Sequence, residues 1–326
     1  MNTISFMKST KHNEKRRALI PDDIGKIKNK AFVYMVSGYG DVLGYTDREY
    51  EQAGVNVTTK DIALKQDIIC DPKVGDADYL GELRNQMLFG YVHAVQNKEV
   101  TDLMVENALS AVAWEDMNED GRHLFWRNNE LAGEAAMMHA FSLYGKLPYE
   151  CKAAVIGRGN TSRGAYRILA SLGADIKVYN RKMEALLRKE ISGFDVIVNC
   201  VAWDTARDDH ILYTEDLTNM KRQAMIVDVS CDHNGAIESS RPTSFDQPVY
   251  YTEGVLHYAV DHTPSIFYQT GSKSFSNVIV DYIDLLIEDT WEENKTLQDA
   301  FIVDKGVILD QRIADYQKSE PMAVKS

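Results

Sequence analysis

Six consecutive residues, Gly157-Arg158-Gly159-Asn160-Thr161-Ser162, have the composition of a loop that wraps a pyrophosphate. Gly157 permits a tight turn, and Gly159 lets the backbone approach the phosphates. A helix starting near Thr161 would offer them free N–H groups and its positive end. The third glycine of the usual G-x-G-x-x-G pattern is missing: Ser162 stands in its place, with Gly164 two positions on. A glycine turn in an unliganded α/β domain would look alike, so the flanks decide. The apolar run Ala153-Ala154-Val155-Ile156 precedes the loop and a helical pattern over 163–172 follows it, which is the strand–turn–helix context a dinucleotide needs. At the end of the next strand, Ile176-Lys177-Val178-Tyr179, an NAD enzyme normally carries an acid for the ribose hydroxyls. Asn180 and Arg181 stand there instead. Losing an anion and gaining a fixed cation suits a ribose 2′-phosphate, so the expected cofactor is NADP(H). Arg158 is a second candidate for the adenine face or the 2′-phosphate, because a guanidinium both stacks and pairs bidentately.

A second polar cluster, Lys8-Ser9-Thr10-Lys11-His12-Asn13-Glu14-Lys15-Arg16-Arg17, directly follows the first strand candidate. In a parallel sheet that is the carboxyl end, where ligands bind. Arg16 could present a carboxylate with two parallel donors, or pair structurally with Glu14 or Glu115. Lys73 follows Pro72 and could hold an oxo or carboxylate oxygen, or be a surface lysine. His93 ends an apolar run, and with an unperturbed pKa of about 6.5 it could pass protons near neutrality. No two of the eight histidines stand four apart, so no helical metal-ligand pair is present and no metal is expected.

The elements that would position these residues alternate. In the first ~130 residues, apolar runs at 4–7, 31–34, 67–70, 87–90 and 111–114 read as strands. Between them 21–29, 46–53 and 97–108 read as helices, the second opened by a Thr46-x-x-Glu49 capping box. A helix rich in small residues over 129–144 leads to a second series with strands at 152–156, 176–179, 196–200, 225–229 and 249–251. Residues 274–288 predict a buried helix, and 301–309 a hairpin returning to the first domain. The expected fold is α/β: two Rossmann-like, doubly wound domains with mostly parallel sheets, separated by a cleft and joined by two long helices. The expected division is a substrate domain of 1–130 plus 290–326, and an NADP-binding domain of 131–289.

Composition agrees with two globular domains: 326 residues, 44% apolar, 26% charged and only 7 Pro. A net charge of −13 would repel nucleic acid and anionic membrane, so neither is an expected partner. Four cysteines without a C-x-x-C pair read as reduced thiols of a cytoplasmic protein. No apolar stretch approaches a membrane span and no signal peptide is evident.

The opening Thr10-Lys11-His12-Asn13-Glu14-Lys15-Arg16-Arg17-Ala18-Leu19-Ile20-Pro21 resembles the T-K-x-x-E-x-R-V-A-x-x-P of alanine dehydrogenases and their relatives, the proton-pumping transhydrogenases and the saccharopine dehydrogenases. Arg17 replaces the usual Val. The likeness continues through Ile68-Ile69-Cys70-Asp71-Pro72-Lys73, Phe89-Gly90-Tyr91-Val92-His93 and Val227-Asp228-Val229-Ser230-Cys231-Asp232-His233-Asn234-Gly235, the last one residue longer than the family pattern before its glycine. Ser240-Arg241-Pro242-Thr243 follows in family order. The family's Asn beside the nicotinamide becomes His262, in Asp261-His262-Thr263-Pro264-Ser265.

The resemblance implies an oxidoreductase acting on CH–NH bonds. With the NADP signature and a short chain, it points to the branch that reductively condenses pyruvate with the side-chain amine of ornithine or lysine. It implies Arg16 and Lys73 as substrate ligands, and His93, Lys73 and Asp232 as catalytic groups. Cofactor contacts would come from Gly157 to Ser162, Asn180, Arg181, Val201, Asp232 and His262. A homo-oligomer is implied as well. Alanine dehydrogenase chemistry, saccharopine-type condensation and a non-catalytic NADPH-binding protein are the alternatives.

Overall fold

The computed structural model describes residues 1–204, 207–232 and 234–319. The chain divides into two compact units: Met1–Phe125 with the chain from Tyr268 onward, and Trp126–Phe267.

The first unit is built on an eight-stranded sheet. Its order is Val307–Ile308, Phe301–Asp304, Ser110–Ala113, Met87–Gly90, Ile68–Cys70, Ile4–Phe6, Val33–Val36 and Asn56–Thr58. The run from Ser110–Ala113 to Asn56–Thr58 is parallel throughout, while Phe301–Asp304 pairs antiparallel as the near arm of the expected hairpin. Phe6, Cys70, Phe89 and Val112 stand in register across four strands, so the loops after them leave the sheet at one edge. Their side chains join one core cluster.

The long helix Tyr268–Glu288 belongs to this unit, where the sequence had placed residues 268–289 in the second. Phe275, Ile279, Ile283 and Leu286 explain the difference. They fill the same core as Phe6, Phe89 and Trp114, and Trp114 packs within 5.2 Å of Phe275. Two other local expectations shift. The helix over 21–29 stops at Ile24, because the Asp284 carboxylate takes the N–H groups of Lys28 and Asn29. The strand at 31–34 becomes Val33–Val36, with Lys30–Phe32 a 3-10 turn before it.

The second unit carries a six-stranded sheet in the order Asp175–Tyr179, Lys152–Ile156, Val196–Asn199, Met225–Asp228, Val255–Tyr258 and Val249–Thr252. All pairs are parallel except the last. Val255–Tyr258 was not anticipated; its hairpin partner at 249–251 was. Helix Trp126–Tyr144 crosses helix Asn160–Ser171 with backbones nearly touching. A Cβ on Gly133 would lie 2.0 Å from the Thr161 carbonyl oxygen, and one on Gly164 1.9 Å from that of Glu130. No larger residue fits either position. Among the described residues, no helix is long and apolar enough to cross a membrane, and no group of three or more His, Cys, Asp or Glu is placed to hold a metal.

Candidate active site and dinucleotide cradle

In the first unit, the loops after Ile68–Cys70 and Met87–Gly90 bring Lys73 and His93 together. Two glycines allow the loops to approach: a Cβ on Gly90 would meet the Asp71 carbonyl oxygen at 1.9 Å, and one on Gly75 that of Val92 at 2.0 Å. The Gly75 N–H donates to the Tyr91 carbonyl across the join, at 3.1 Å. Lys73 Nζ then lies 3.1 Å from His93 Nε2. A charged Lys73 would donate there to Nε2 of a neutral imidazole. Burial lowers the Lys73 pKa, and the charge of Lys11 adds to the effect. The His93 ring stacks on Tyr91, with centroids 5.7 Å apart and planes within 10°.

His93 has φ +53°, in the left-handed region that a side chain seldom adopts. Glu115 stabilises this conformation. Its carboxylate accepts the N–H of His93 at 2.5 Å and that of Val92 at 3.2 Å. Burial pushes Glu115 up to about 7, against these same hydrogen bonds, which favour its ionised form. Asp71 is likewise raised by burial, to about 6, while accepting from Tyr79 Oη at 2.7 Å and the Lys73 N–H at 2.8 Å.

Arg16 is buried, and its fork is turned onto Glu14. The Nε and backbone N–H each donate to Glu14 Oε1 at 2.8 Å, and Nη2 donates to Oε2 at 2.5 Å. The guanidinium lies over the Phe275 ring, 5.2 Å from its centroid. Burial alone would raise the Glu14 pKa, but the charge and hydrogen bonds of Arg16 outweigh it and hold the carboxyl below its ordinary range. The structural pairing weighed in the sequence is thus present, with Glu14 rather than Glu115 as partner.

In the second unit, Gly157 sits at φ +114°, where a Cβ would also come within 3.0 Å of the Cys200 carbonyl oxygen. Gly159 caps the helix Asn160–Ser171, which begins one residue before the expected start near Thr161. Asn160, Thr161 and Ser162 therefore form its first turn, whose N–H groups have no carbonyl within the helix to bond. Ser162 is buried, and its Oγ donates to the Gly159 carbonyl at 2.8 Å. It braces the loop from inside, while Gly164 provides the close packing expected of the third glycine. Arg158 and Arg181 are both exposed. Asn180 Oδ1 accepts the Lys182 N–H at 2.9 Å, which fixes the turn that carries Arg181. A groove of about 550 Å³ borders the loop, lined by Gly157, Arg158 and Ser162 among others. The left-handed turn at Gly157 and the helix start fit the pyrophosphate of a nicotinamide dinucleotide, and two exposed arginines flank them.

The remaining candidates lie after the next strands. Val201 donates its N–H to Asn199 Oδ1 at 3.2 Å. Asp232 Oδ2 accepts the Trp203 N–H at 3.0 Å, and burial raises its pKa to about 6. His262 is buried, paired through Nδ1 with Asp261, and its ring stands edge-on to Phe245 at 4.9 Å.

The structure thus groups Arg16, Lys73 and His93 in one unit and the residues 157–162, 180–181, 201, 232 and 262 in the other. Sequence reasoning gave no role to Asp71 or Tyr91, and considered Glu14 and Glu115 only as partners for Arg16. The signal for Glu115 was its position immediately past a strand's carboxyl end, the same place that drew attention to His93.

Comparison with known proteins places the chain in a family. Residues 6–126 match the alanine dehydrogenase/PNT N-terminal domain model, and residues 179–311 match the C-terminal domain model of the same family. The chain is 29% identical over 300 residues to an N(5)-(carboxyethyl)ornithine synthase of Clostridium botulinum, covering 86% of this chain and 93% of that protein. To the protein of that name from Lactococcus lactis it is 28% identical, covering 86% and 94%. A solved L-alanine dehydrogenase superposes with a TM-score of 0.84 at 19% identity, over 97% of this chain and 99% of that one, which speaks to the fold alone.

Proposed function

The chain belongs to the alanine dehydrogenase/PNT family, and from that premise we propose that it is an NADPH-dependent oxidoreductase. Its reaction would join pyruvate to the side-chain amine of L-ornithine or L-lysine through an imine, giving a carboxyethyl amino acid. The observation that carries the reading is the 3.1 Å contact between Lys73 Nζ and His93 Nε2 beside a buried carboxylate–guanidinium pair. The names of the Clostridium botulinum and Lactococcus lactis relatives support the choice of substrates.

Lys73, charged, donates to the oxo oxygen of pyruvate and polarises its carbon toward addition. Arg16, oriented by Glu14, would bind the pyruvate carboxylate. His93 Nε2 accepts the proton released as the amine nitrogen bonds to that carbon. Lys73 gives the oxygen a proton as the carbinolamine forms. The proton held on His93 then goes to that hydroxyl, which leaves as water while the nitrogen lone pair forms the protonated imine; Lys73 regains its proton from solvent. Gly157, Gly159 and the first helical turn would hold the cofactor's pyrophosphate, with Arg158 and Arg181 on its 2′-phosphate. Bound NADPH would supply the hydride that reduces the imine carbon. Asp232 would orient the nicotinamide-side ribose of the cofactor within the second unit. Function as a cytoplasmic homo-oligomer is part of the same reading.

The test is the loss of NADPH absorbance with paired substrates. Pyruvate with ornithine or lysine is expected to support it. Activity confined to pyruvate with ammonium would make the protein an alanine dehydrogenase, and activity confined to lysine with 2-oxoglutarate a saccharopine-type enzyme. Binding of NADPH without turnover under any pairing would leave a non-catalytic binder.

A further inference from the structure

Lys11 and Asp76 form an ion pair at the rim of the Lys73 site that the chemistry above does not use. Lys11 Nζ lies 3.2 Å from Asp76 Oδ2, with side chains 18% and 33% exposed. The same carboxylate oxygen is 4.0 Å from Lys73 Nζ, which is 3.1 Å from His93 Nε2. Adding the two distances bounds Asp76 Oδ2 and His93 Nε2 to within 7.1 Å of each other. Both partners are held by backbone. Asp76 closes the turn Val74–Asp76 and donates its N–H to the Lys73 carbonyl at 2.9 Å, next to the Gly75 position where no Cβ fits. The Lys11 loop is tied to the same region, since Thr10 Oγ1 accepts the Asp78 N–H at 2.9 Å.

The head of an α-amino acid presents an ammonium and a carboxylate on one carbon. A lysine–aspartate pair is its charge complement: each side chain can exchange its partner for the ligand's opposite charge, with no change in the net charge of the site. Parting them costs little, because a partly exposed ion pair contributes only about 0–1 kcal/mol. The span also fits. In ornithine, four single bonds of about 1.5 Å separate the α-carbon from the terminal nitrogen, roughly 5 Å when staggered and extended. A head seated on Lys11 and Asp76 therefore puts the terminal amine within reach of Lys73 and His93. Ammonium has no head to seat there.

We propose that Lys11 and Asp76 are the subsite for the α-carboxylate and α-ammonium of the amine co-substrate, Lys11 taking the former and Asp76 the latter. The inference rests on the reading of the protein as a condensing enzyme. Its test uses the full chain with NADPH and pyruvate, and three amines: L-ornithine, 1,4-diaminobutane (no carboxylate) and 5-aminopentanoate (no α-ammonium). Asp76→Asn should raise the KM for ornithine about tenfold or more while leaving that for 5-aminopentanoate and for pyruvate within about twofold. Lys11→Met should do the same to ornithine while sparing 1,4-diaminobutane. Unchanged ornithine KM in both variants, or equal weakening of all three amines, would overturn the subsite. An unaltered circular dichroism spectrum and Tm separate this from misfolding. If the wild-type protein oxidises NADPH with no amine at all, the condensing reading falls and takes this inference with it.

Discussion

The two candidate regions are built from different materials. In the first unit the working groups are side chains that hold one another: Glu14 on Arg16, Lys73 on His93, and Glu115 on the backbone of His93. Several are buried, and three have pKa values displaced by that burial. In the second unit the cradle is backbone: a left-handed glycine, a helix start and a capped turn, with arginines exposed around it. Low dielectric magnifies the charges of the first region, whereas solvent screens those of the second. Damage to the first should therefore show in turnover and pH dependence, and damage to the second in cofactor affinity.

The largest effect expected is from His93→Ala. Loss of a positioned proton-transfer group lowers kcat by about 10²–10⁴, while NADPH binding, measured by fluorescence titration, should stay nearly intact. A wild-type rate would remove the proton-transfer role. Glu115→Gln comes next. The Glu115 pKa is raised from 4.5 to about 7. Since the fold favours its protonated form, its contribution to stability is fully present below about 4.5 and declines as pH rises through 7. Gln cannot titrate, but its NH2 cannot accept the second backbone N–H, which costs about 1–3 kcal/mol at every pH. The variant should therefore lie below wild type in Tm at pH 5, and that gap should narrow by pH 8. The narrowing has a ceiling of roughly 3 kcal/mol at 1.36 kcal/mol per pKa unit. A Tm difference that stays flat from pH 5 to 8 would show that Glu115 does not titrate there.

The same contrast sets what could be read from the chain alone. The Gly157–Ser162 loop was legible because backbone requirements leave fixed residue types: glycine where φ is positive, a capped helix, and strands on either side. Side-chain pairing leaves no such mark. Nothing in the spacing of Glu14 and Arg16 says that one will occupy the other's fork, and Glu115 reaches His93 only through the sheet register that sets their strands side by side. The placement of Tyr268–Glu288 was missed for a related reason. A helix apolar over most of its circumference announces burial but not which core it enters, and Phe275 against Trp114 decides that. Among strands, Asn56–Thr58 escaped because an edge strand of three residues with one aliphatic side chain carries no pattern.

Gly157→Ala probes the backbone cradle itself. A Cβ at φ +114° is strained and would also crowd the Cys200 carbonyl oxygen at 3.0 Å. The cost should be about 1–2 kcal/mol, read as a lower Tm and a weakened Kd for NADPH and NADH alike. Unchanged affinity for both cofactors would mean that the loop does not approach them.

Arg181→Ala should have the smallest effect and the most selective one. Arg181 is exposed, and Asn180 keeps its hydrogen bond to Lys182, so removing the guanidinium leaves the turn in place. What is lost is one charge facing a 2′-phosphate, a group that NADPH has and NADH lacks. The KM for NADPH should rise roughly tenfold, as for a lost hydrogen bond between charged groups, and that for NADH should hardly move. Because the site is open to solvent, the difference should shrink as ionic strength rises and the Debye length falls below about 10 Å. Equal effects on the two cofactors would instead make Arg181 a general contact of the dinucleotide, and the choice of NADP would then have to rest on Arg158.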